Sequence, residues 1–130
     1  MRRHRSSQFR KEEAPFVETF VTDLSRRWDI ADVHDRMATA FIEQAGTPQA
    51  QQLLHRFKEL GVLKSTHDLE LRNYYEGTTG RTGIFSFKGT FENGEGMVRV
   101  TIVKKEGAVR VSGFFLQVTH TRDGVSKLQT

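Results

Sequence analysis

GIFSFKGTFENGEGMVRVTIVKKEGAVRVSGFFLQV, residues 83–118, is the stretch that decides the fold. Apolar and polar side chains alternate along three segments of it, which is typical of strands with one face on a core and one face in water. Asn93-Gly94 is the strongest short hairpin signal, and Glu106-Gly107 predicts a second tight turn. We therefore predict three antiparallel strands. Their inward residues are Phe85, Phe87, Phe91, Val98, Val100, Ile102, Val109 and Val111.

The alternation slips once, near the end of this stretch. Val109 and Val111 share one parity, whereas Phe114, Leu116 and Val118 share the other. A β-bulge at Gly113 restores the apolar set to a single face.

A fourth strand is predicted upstream, within residues 64–76. Lys64, Thr66, Asp68, Glu70, Arg72 and Tyr74 form its wet parity, and Leu63, Ser65, His67, Leu69, Leu71, Asn73 and Tyr75 form the other. The polar residues of the second parity are thus expected to face inward. Residues 76–82 read as a glycine-rich loop between strands.

Three helices are predicted before the strands. Pro15 suits the first turn of the first helix, whose apolar residues recur every four positions: Phe16, Phe20, Leu24 and Trp28. Asp29 or Asp32 is expected to cap the second, with Val33, Met37, Ala40 and Phe41 on its apolar side. Thr47 is expected to cap the third, with Pro48 in first position and help from Gln51; its stripe is Leu53, Leu54, Phe57 and Leu60, before Gly61.

Helices followed by strands indicate an α+β domain, here three N-terminal helices packed on a curved four-stranded antiparallel meander. The net charge of +4 belongs to the first eleven residues, because from residue 12 onward the chain has 15 basic and 16 acidic residues. We predict a basic flexible tail over residues 1–14, one cone-shaped domain over 15–119 and a loose tail over 120–130.

Three stretches carry a family resemblance: RRWDIADVHDRM (residues 26–37), RFKELGVL (56–63) and TFENGEGMVRVTIVKKEGAVRVSGFFLQV (90–118). With the element order, they resemble the nuclear-transport-factor-2-like (cystatin-like cone) superfamily, especially small bacterial members of unknown function. The chain has Ala108-Val109 where many members place a Trp. The resemblance implies a pocket between concave sheet and helices. It also implies a role drawn from isomerases, dehydratases, secretion components and plain binding modules.

The predicted ligand-binding residues are His67, Asn73, Tyr75 and Arg81. A polar side chain inside an apolar cone needs a partner or a ligand, and His67 with Tyr75 would supply an acid/base and a hydrogen-bond donor. An isomerase or dehydratase also needs a carboxylate, and Asp68 and Glu70 have the outward parity. Catalysis by His67 and Tyr75 is therefore kept as the alternative function.

The sequence contains no motif for metal binding, thiol chemistry or phosphate binding. The chain has no cysteine, its five histidines lack metal-ligand spacing, and GTTGRTG (residues 77–83) lacks the Lys-Ser/Thr of a P-loop. We predict no cofactor and no metal.

Apolar residues also fall on the outward parity of the meander. Ile84, Met97, Val103 and one of the Phe114/Phe115 pair are expected to form a homodimer interface through the sheet.

The leading functional hypothesis is a non-enzymatic domain that binds a small apolar ligand or dimerises. A module whose basic arm binds anionic lipid or nucleic acid is a further alternative, although the excess charge does not lie on the domain itself. Arg2-Arg3 is followed by no apolar segment, so it does not read as an export signal, and a cytoplasmic location is expected. An exported domain of a longer precursor stays open.

Overall fold

The protein is an α+β structure in which three helices precede a four-stranded antiparallel sheet with strand order β1-β2-β3-β4. The structure is a computed structural model that describes residues 2–122, with side chains from residue 5 onward. The helices are α1 (Arg2–Ser25), α2 (Thr39–Ala45) and α3 (Pro48–Phe57), and the strands are β1 (Leu63–Glu76), β2 (Arg81–Phe91), β3 (Gly94–Lys105) and β4 (Ala108–Thr121). The predicted fold class is confirmed.

Helix α1 corrects the prediction of a flexible tail over residues 1–14. It begins at Arg2, and Phe9 and Glu13 on its inner side are buried. The basic composition was misleading because Phe9, Val17 and Phe20 form one buried stripe, and this tertiary burial outweighs the polar character of the segment. Pro15 lies inside the helix and not in its first turn. Its missing N–H removes one backbone hydrogen bond there.

Trp28, just after the end of α1, has an unusual backbone conformation. Its φ of 52° is in the left-handed region, yet its side chain is buried and its indole N–H donates to the carbonyl of Gly61 at 3.0 Å. Burial and this hydrogen bond offset the steric cost of a left-handed bulky residue.

The predicted second helix is broken. Two 3₁₀ turns, Ile30–Asp32 and His34–Arg36, come first, and Asp29 caps only the first turn, through the N–H of Ala31. Residues 37 and 38 then pair with β4, where the N–H of Ala38 donates to the carbonyl of Val111 at 2.8 Å. Because these backbone groups bond to the sheet, they cannot continue a helix, and α2 starts only at Thr39.

The start of α3 is as predicted. Thr47 Oγ1 accepts from the N–H of Ala50, and Pro48 is the first helical residue. Gln51 has a different role from the predicted one, since its amide donates to the carbonyl of Ala45 and so ties α3 to the end of α2.

The hairpins of the meander follow the sequence closely. Phe91 pairs with Gly94, so the first loop is Glu92-Asn93, one residue earlier than predicted. Glu106 and Gly107, with φ of 52° and 82°, form the predicted second turn. The predicted bulge is confirmed: Thr101 faces Gly113 and Ile102 faces Val111, which leaves Ser112 as the extra residue.

Both outer strands depart from the expected regularity. Strand β1 has three register shifts, at Lys64, around Asp68 and at Arg72. Strand β4 continues to Thr121, which corrects the start of the predicted C-terminal tail; residues 123–130 lie outside the described residues.

One hydrophobic cluster fills the space between the concave side of the sheet and the helices. Its large fully buried members include Phe9, Phe20, Phe85, Phe87 and Leu60. Between residues 2 and 122, no helix is both long and apolar enough to cross a membrane.

Candidate functional site

A cavity of about 260 Å³ lies between the concave sheet face and the helices. It sits on the β4 side of the sheet, where Gly113 and Phe114 form its floor. The other lining residues are Phe20, Leu24, Ile30, Val33, Met37, Phe41, Gln44, Ala45, Ala50, Leu53, Leu54 and Phe57.

Local sequence features explain why the space stays open. The bulge at Ser112 re-aims the strand, so that a glycine and then Phe114 face the cavity. On the opposite wall, α2 and α3 present the small residues Ala45 and Ala50. Trp28 closes the wall beneath, with its ring centroid 5.1 Å from that of Phe57 and 6.4 Å from that of Phe114.

The side chains that line the cavity are almost all apolar. Gln44 carries the only polar side chain among the lining residues, and none of those residues is ionisable. Within residues 5–122, no fully buried side-chain nitrogen or oxygen lacks a hydrogen-bond partner. The cavity therefore offers dispersion contacts and apolar burial, and it offers no acid, base or nucleophile to a bound molecule.

His67, Asn73 and Tyr75 do not face this cavity, which corrects their predicted inward orientation. All three are exposed, Tyr75 by 56%. Three register shifts in β1 decide which side chains point inward. The shift at Lys64 turns His67 outward, the shift around Asp68, whose φ is 55°, leaves Leu69 and Leu71 packed inward, and the shift at Arg72 turns Tyr74 inward in place of Tyr75.

The predicted catalytic pair is also separated along the sheet. His67 pairs with Lys88 near one end of β2, and Tyr75 pairs with Thr82 near the other end. His67 bonds its neighbour Ser65, with Nε2 3.0 Å from Oγ. The pair therefore does not form one constellation.

Arg81, the remaining predicted ligand-binding residue, lies on the β1 side of the sheet, away from the cavity. Its guanidinium lies 5.4 Å from the centroid of Phe9, within cation–π range. It does not line the cavity.

Close to Arg81, a small polar network ties α1 to β1. Tyr74 donates to Glu76 at 2.8 Å, and Arg5 reaches the same carboxylate at 2.7 Å. These hydrogen bonds, that from Tyr74 above all, hold the pKa of Glu76 below its ordinary value. Burial and the bond to Glu76 raise the pKa of Tyr74.

The predicted interface residues divide between the two faces of the sheet. Met97 and Phe115 are exposed on the outer face by 38% and 54%, and Ile84 and Val103 are half-buried there. Phe114 faces inward, against Trp28 and the cavity, so the outward member of the pair is Phe115.

The outer face also has a larger, polar-lined cleft of about 520 Å³, lined by His67, Asp68, Lys88, Glu95 and Met97 among others. Its charges are of both signs. No group of three or more His, Cys, Asp or Glu residues in the described part of the chain is arranged to hold a metal ion.

Two basic residues of the N-terminal segment are engaged with β1. Arg5 pairs with Glu76, and Arg10 donates to the carbonyl of Leu69. Two carboxylates of the same helix also pair with the sheet. Nζ of Lys104, on β3, lies 2.8 Å from the buried Glu13 and 3.4 Å from Glu12. These contacts anchor α1 to the sheet, and the segment is not a free arm.

The sequence predicted the apolar stripes of the three helices, and the family resemblance implied a pocket between sheet and helices, but four of the residues that line the cavity were missed. Ile30, Gln44, Ala45 and Ala50 were not singled out. The available signal was the pair of small residues flanking the Gly46-Thr47-Pro48 break, on helices whose other inward residues are large.

No protein-family model, curated protein or solved structure matches the chain. Function is therefore inferred from the geometry and chemistry of residues 5–122.

Proposed function

We propose that the protein is a non-enzymatic binding domain that takes a small apolar ligand in the cavity between α2, α3 and β4. The observation that carries this proposal is a space of about 260 Å³ whose lining is apolar except for Gln44. Apolar cavities of roughly 150 Å³ already bind benzene, because water gains too few hydrogen bonds there to fill them. A ligand with one substituted ring or a chain of about eight carbons suits this space.

A binding role is favoured over catalysis by what the cavity lacks. None of its lining residues has an ionisable side chain, whereas isomerisation and dehydration both require proton transfer. His67 and Tyr75, the candidates for an enzymatic function, lie on exposed positions at separate ends of β1.

We also propose membership in the nuclear-transport-factor-2-like superfamily. The support is architectural: helices on the concave side of an antiparallel meander, a bulged last strand and an open space between the two layers. Fold analogy alone does not select a ligand or an activity.

The ligand proposal can be tested through the intrinsic fluorescence of Trp28. It is the one tryptophan of the chain, and its ring contacts Phe57 and Phe114 in the cavity wall. Titration with 1-octanol or toluene is expected to change the emission saturably and to raise the thermal midpoint, since a ligand that binds only the folded state stabilises it.

A matched pair of variants locates the binding site. Ala50→Phe places a ring in the cavity, whereas Ala40→Phe places the same ring on an exposed position of α2. We expect Ala50→Phe to abolish the saturable response and Ala40→Phe to retain it. The proposal is wrong if the native chain shows no saturable response, or if the two variants bind the probes equally well.

A second function, homodimerisation through the sheet, is favoured by a separate observation. Phe115 of β4 and Met97 of β3 are exposed at diagonal positions of the outer face, since Phe115 pairs with Arg99 and Met97 pairs with Gln117. Large exposed apolar side chains in a group often mark an interface, and a second copy of the same mixed face can pair with it.

Light scattering on the native chain tests this second function. We expect a dimer at high micromolar concentration, and we expect Phe115→Glu to shift it toward monomer while Gln52→Glu, on exposed α3, leaves it unchanged. A strictly monomeric native chain at that concentration would rule out the dimer.

A further inference from the structure

The mouth of the cavity is formed by residues that are both lining and exposed. Gln44 of α2 and Leu53 of α3 line the cavity and also reach solvent, Leu53 by 47%. A bound molecule therefore has its apolar body inside and its polar end near these two side chains.

No charged residue occurs in the segment that carries Gln44 and Leu53. Residues 44–54 read QAGTPQAQQLL, which includes four glutamines and no Asp, Glu, Lys, Arg or His, in a chain where 28% of residues are charged. Glu43 precedes the segment, but neighbours in a helix point about 100° apart, and it does not line the cavity.

Helix ends also leave little net field at the mouth. The C-terminus of α2 and the N-terminus of α3 meet at Gly46-Thr47, so the negative partial charge of the first end offsets the positive partial charge of the second. Both ends are capped within the segment: Thr47 Oγ1 accepts from Ala50, and the amide of Gln51 donates to the carbonyl of Ala45. A backbone group at each of these two helix ends is thus already hydrogen-bonded within the segment.

We propose that the ligand of this cavity is a neutral amphiphile, with an aliphatic or single-ring body and an uncharged hydrogen-bonding head such as an amide, alcohol or ketone. The inference rests on the proposed binding function. Gln44 supplies both a donor and an acceptor, which matches a neutral head group and discriminates against a head that needs a counter-charge.

An ionised head would find no compensation at this site. Drawing a carboxylate or ammonium toward an apolar lining costs hydration free energy unless an opposite charge or several hydrogen bonds replace the water. The lining has a single amide to offer.

Octanamide and octanoate provide a suitable comparison, because they have the same chain and nearly the same head-group shape and differ in charge at pH 7.5. Both are titrated against the full chain with Trp28 emission as the readout. We expect octanamide to bind at least about tenfold more tightly than octanoate. Octylamine, which is cationic at this pH, is expected to bind as weakly as octanoate.

A charge placed at the mouth should reverse this preference. Gln44→Lys is expected to tighten octanoate binding about tenfold, which corresponds to about 1.4 kcal/mol. Gln52→Lys adds the same charge to the same uncharged segment, at an exposed residue that does not line the cavity. It is expected to leave the octanamide-to-octanoate ratio as in the native chain.

The outcomes separate the two proposals. If octanoate binds the native chain as tightly as octanamide, or if Gln44→Lys and Gln52→Lys have the same effect, the neutral-head inference is wrong while the binding function stands. If neither compound binds, and octanol and toluene also fail, the binding function itself is overturned and the inference falls with it. Retained thermal midpoints in both lysine variants confirm that they fold.

Discussion

The two sides of the concave sheet face are packed in opposite ways. On the β1 side, the ring of Phe9 from α1 lies against Tyr74 and Phe85, with ring centroids 5.0 and 6.1 Å away. On the β4 side, two short helices span a cavity of about 260 Å³. The concave face is thus covered by a packed aromatic ring on the β1 side and borders an open cavity on the β4 side.

The difference lies in the helices and in the bulge of β4. Helix α1 has 24 residues and runs along β1, so its side chains reach the sheet over a long contact. Helices α2 and α3 have 7 and 10 residues and meet at a capped break, and they place alanines toward the sheet. An open site arises where short helices with small inward residues cover a bulged strand, which is where we place the ligand.

Removing the side chain that fills the β1 side should have the largest effect. Phe9→Ala is expected to lower the free energy of unfolding by about 3–5 kcal/mol, because it deletes a fully buried ring and leaves a cavity. Urea denaturation followed by circular dichroism measures this change.

Tyr75→Ala is the matched control, since it removes an aromatic ring that is 56% exposed and is expected to cost within about 0.5 kcal/mol. Equal losses for the two variants would mean that residues 2–14 are not docked on the sheet in solution. Truncation of residues 1–13 is a poor probe of a basic arm for the same reason, because it removes Phe9 as well.

Lys104→Met tests the polar anchor on the same side of the molecule. The substitution leaves the buried carboxylate of Glu13 without its cation, and we expect a loss of about 2–3 kcal/mol. Lys105→Met, on the exposed neighbouring residue, should have little effect. The double variant Glu13→Leu/Lys104→Met should be more stable than Lys104→Met alone, and a double variant that is less stable would contradict a paired anchor.

This anchor also has a defined pH range. The hydrogen bond to Glu13 raises the pKa of Lys104 above its ordinary value of 10.5. A raised pKa means that the stabilisation is complete below that value and is lost as the pH rises through the folded-state pKa. The stability difference between native chain and Lys104→Met should therefore be constant at neutral pH and narrow only in strong alkali.

Two glycine substitutions compare the packed β1 side of the concave face with a position on the outer face of the sheet. A Cβ at Gly83 would lie 2.4 Å from Cε2 of the buried Phe9 ring and 3.1 Å from Leu71. A Cβ at Gly113 would lie 3.3 Å from Thr101 Oγ1. We expect Gly83→Ala to cost about 1–3 kcal/mol by overpacking and Gly113→Ala to cost less than about 1 kcal/mol. Thermal denaturation of both variants decides this, and the reverse order would contradict the close packing of the Phe9 ring against Gly83.

Much of the fold was accessible from the sequence because period-2 alternation and turn chemistry are local. The Glu106-Gly107 turn, the bulge near Gly113 and the Thr47 cap all depend on residues within a few positions of one another. The predictions that were wrong depended on contacts between residues far apart in the sequence. The segment before Pro15 is polar, and it is helical because Phe9 finds a site beside Tyr74 on β1.

The candidate site was less accessible for a related reason. One extra residue in a strand exchanges its two faces, and the shifts of β1 cannot be read from its regular alternation. Tyr74 and Tyr75 are adjacent and chemically identical, so residue type does not indicate which one faces the core. The cavity depends on how far α2 and α3 stand from the sheet, and residue patterns do not specify that distance.

The smallest expected effect concerns the exposed link between α1 and β1. Because hydrogen bonds from Tyr74 and Arg5 hold the pKa of Glu76 below its ordinary value of 4.5, its contribution to stability is complete above that value and is lost as the pH falls through the folded-state pKa. Glu76→Gln should therefore differ from the native chain at neutral pH and converge with it in acid, measured as the urea midpoint between pH 7 and pH 3. Glu70→Gln, at an exposed carboxylate on the same strand that pairs only with Arg72 among its described contacts, serves as the control. A difference for Glu76→Gln that persists unchanged at the lowest pH would mean that the side chain acts by packing and not by its charge, and the link would then be no more than a surface contact.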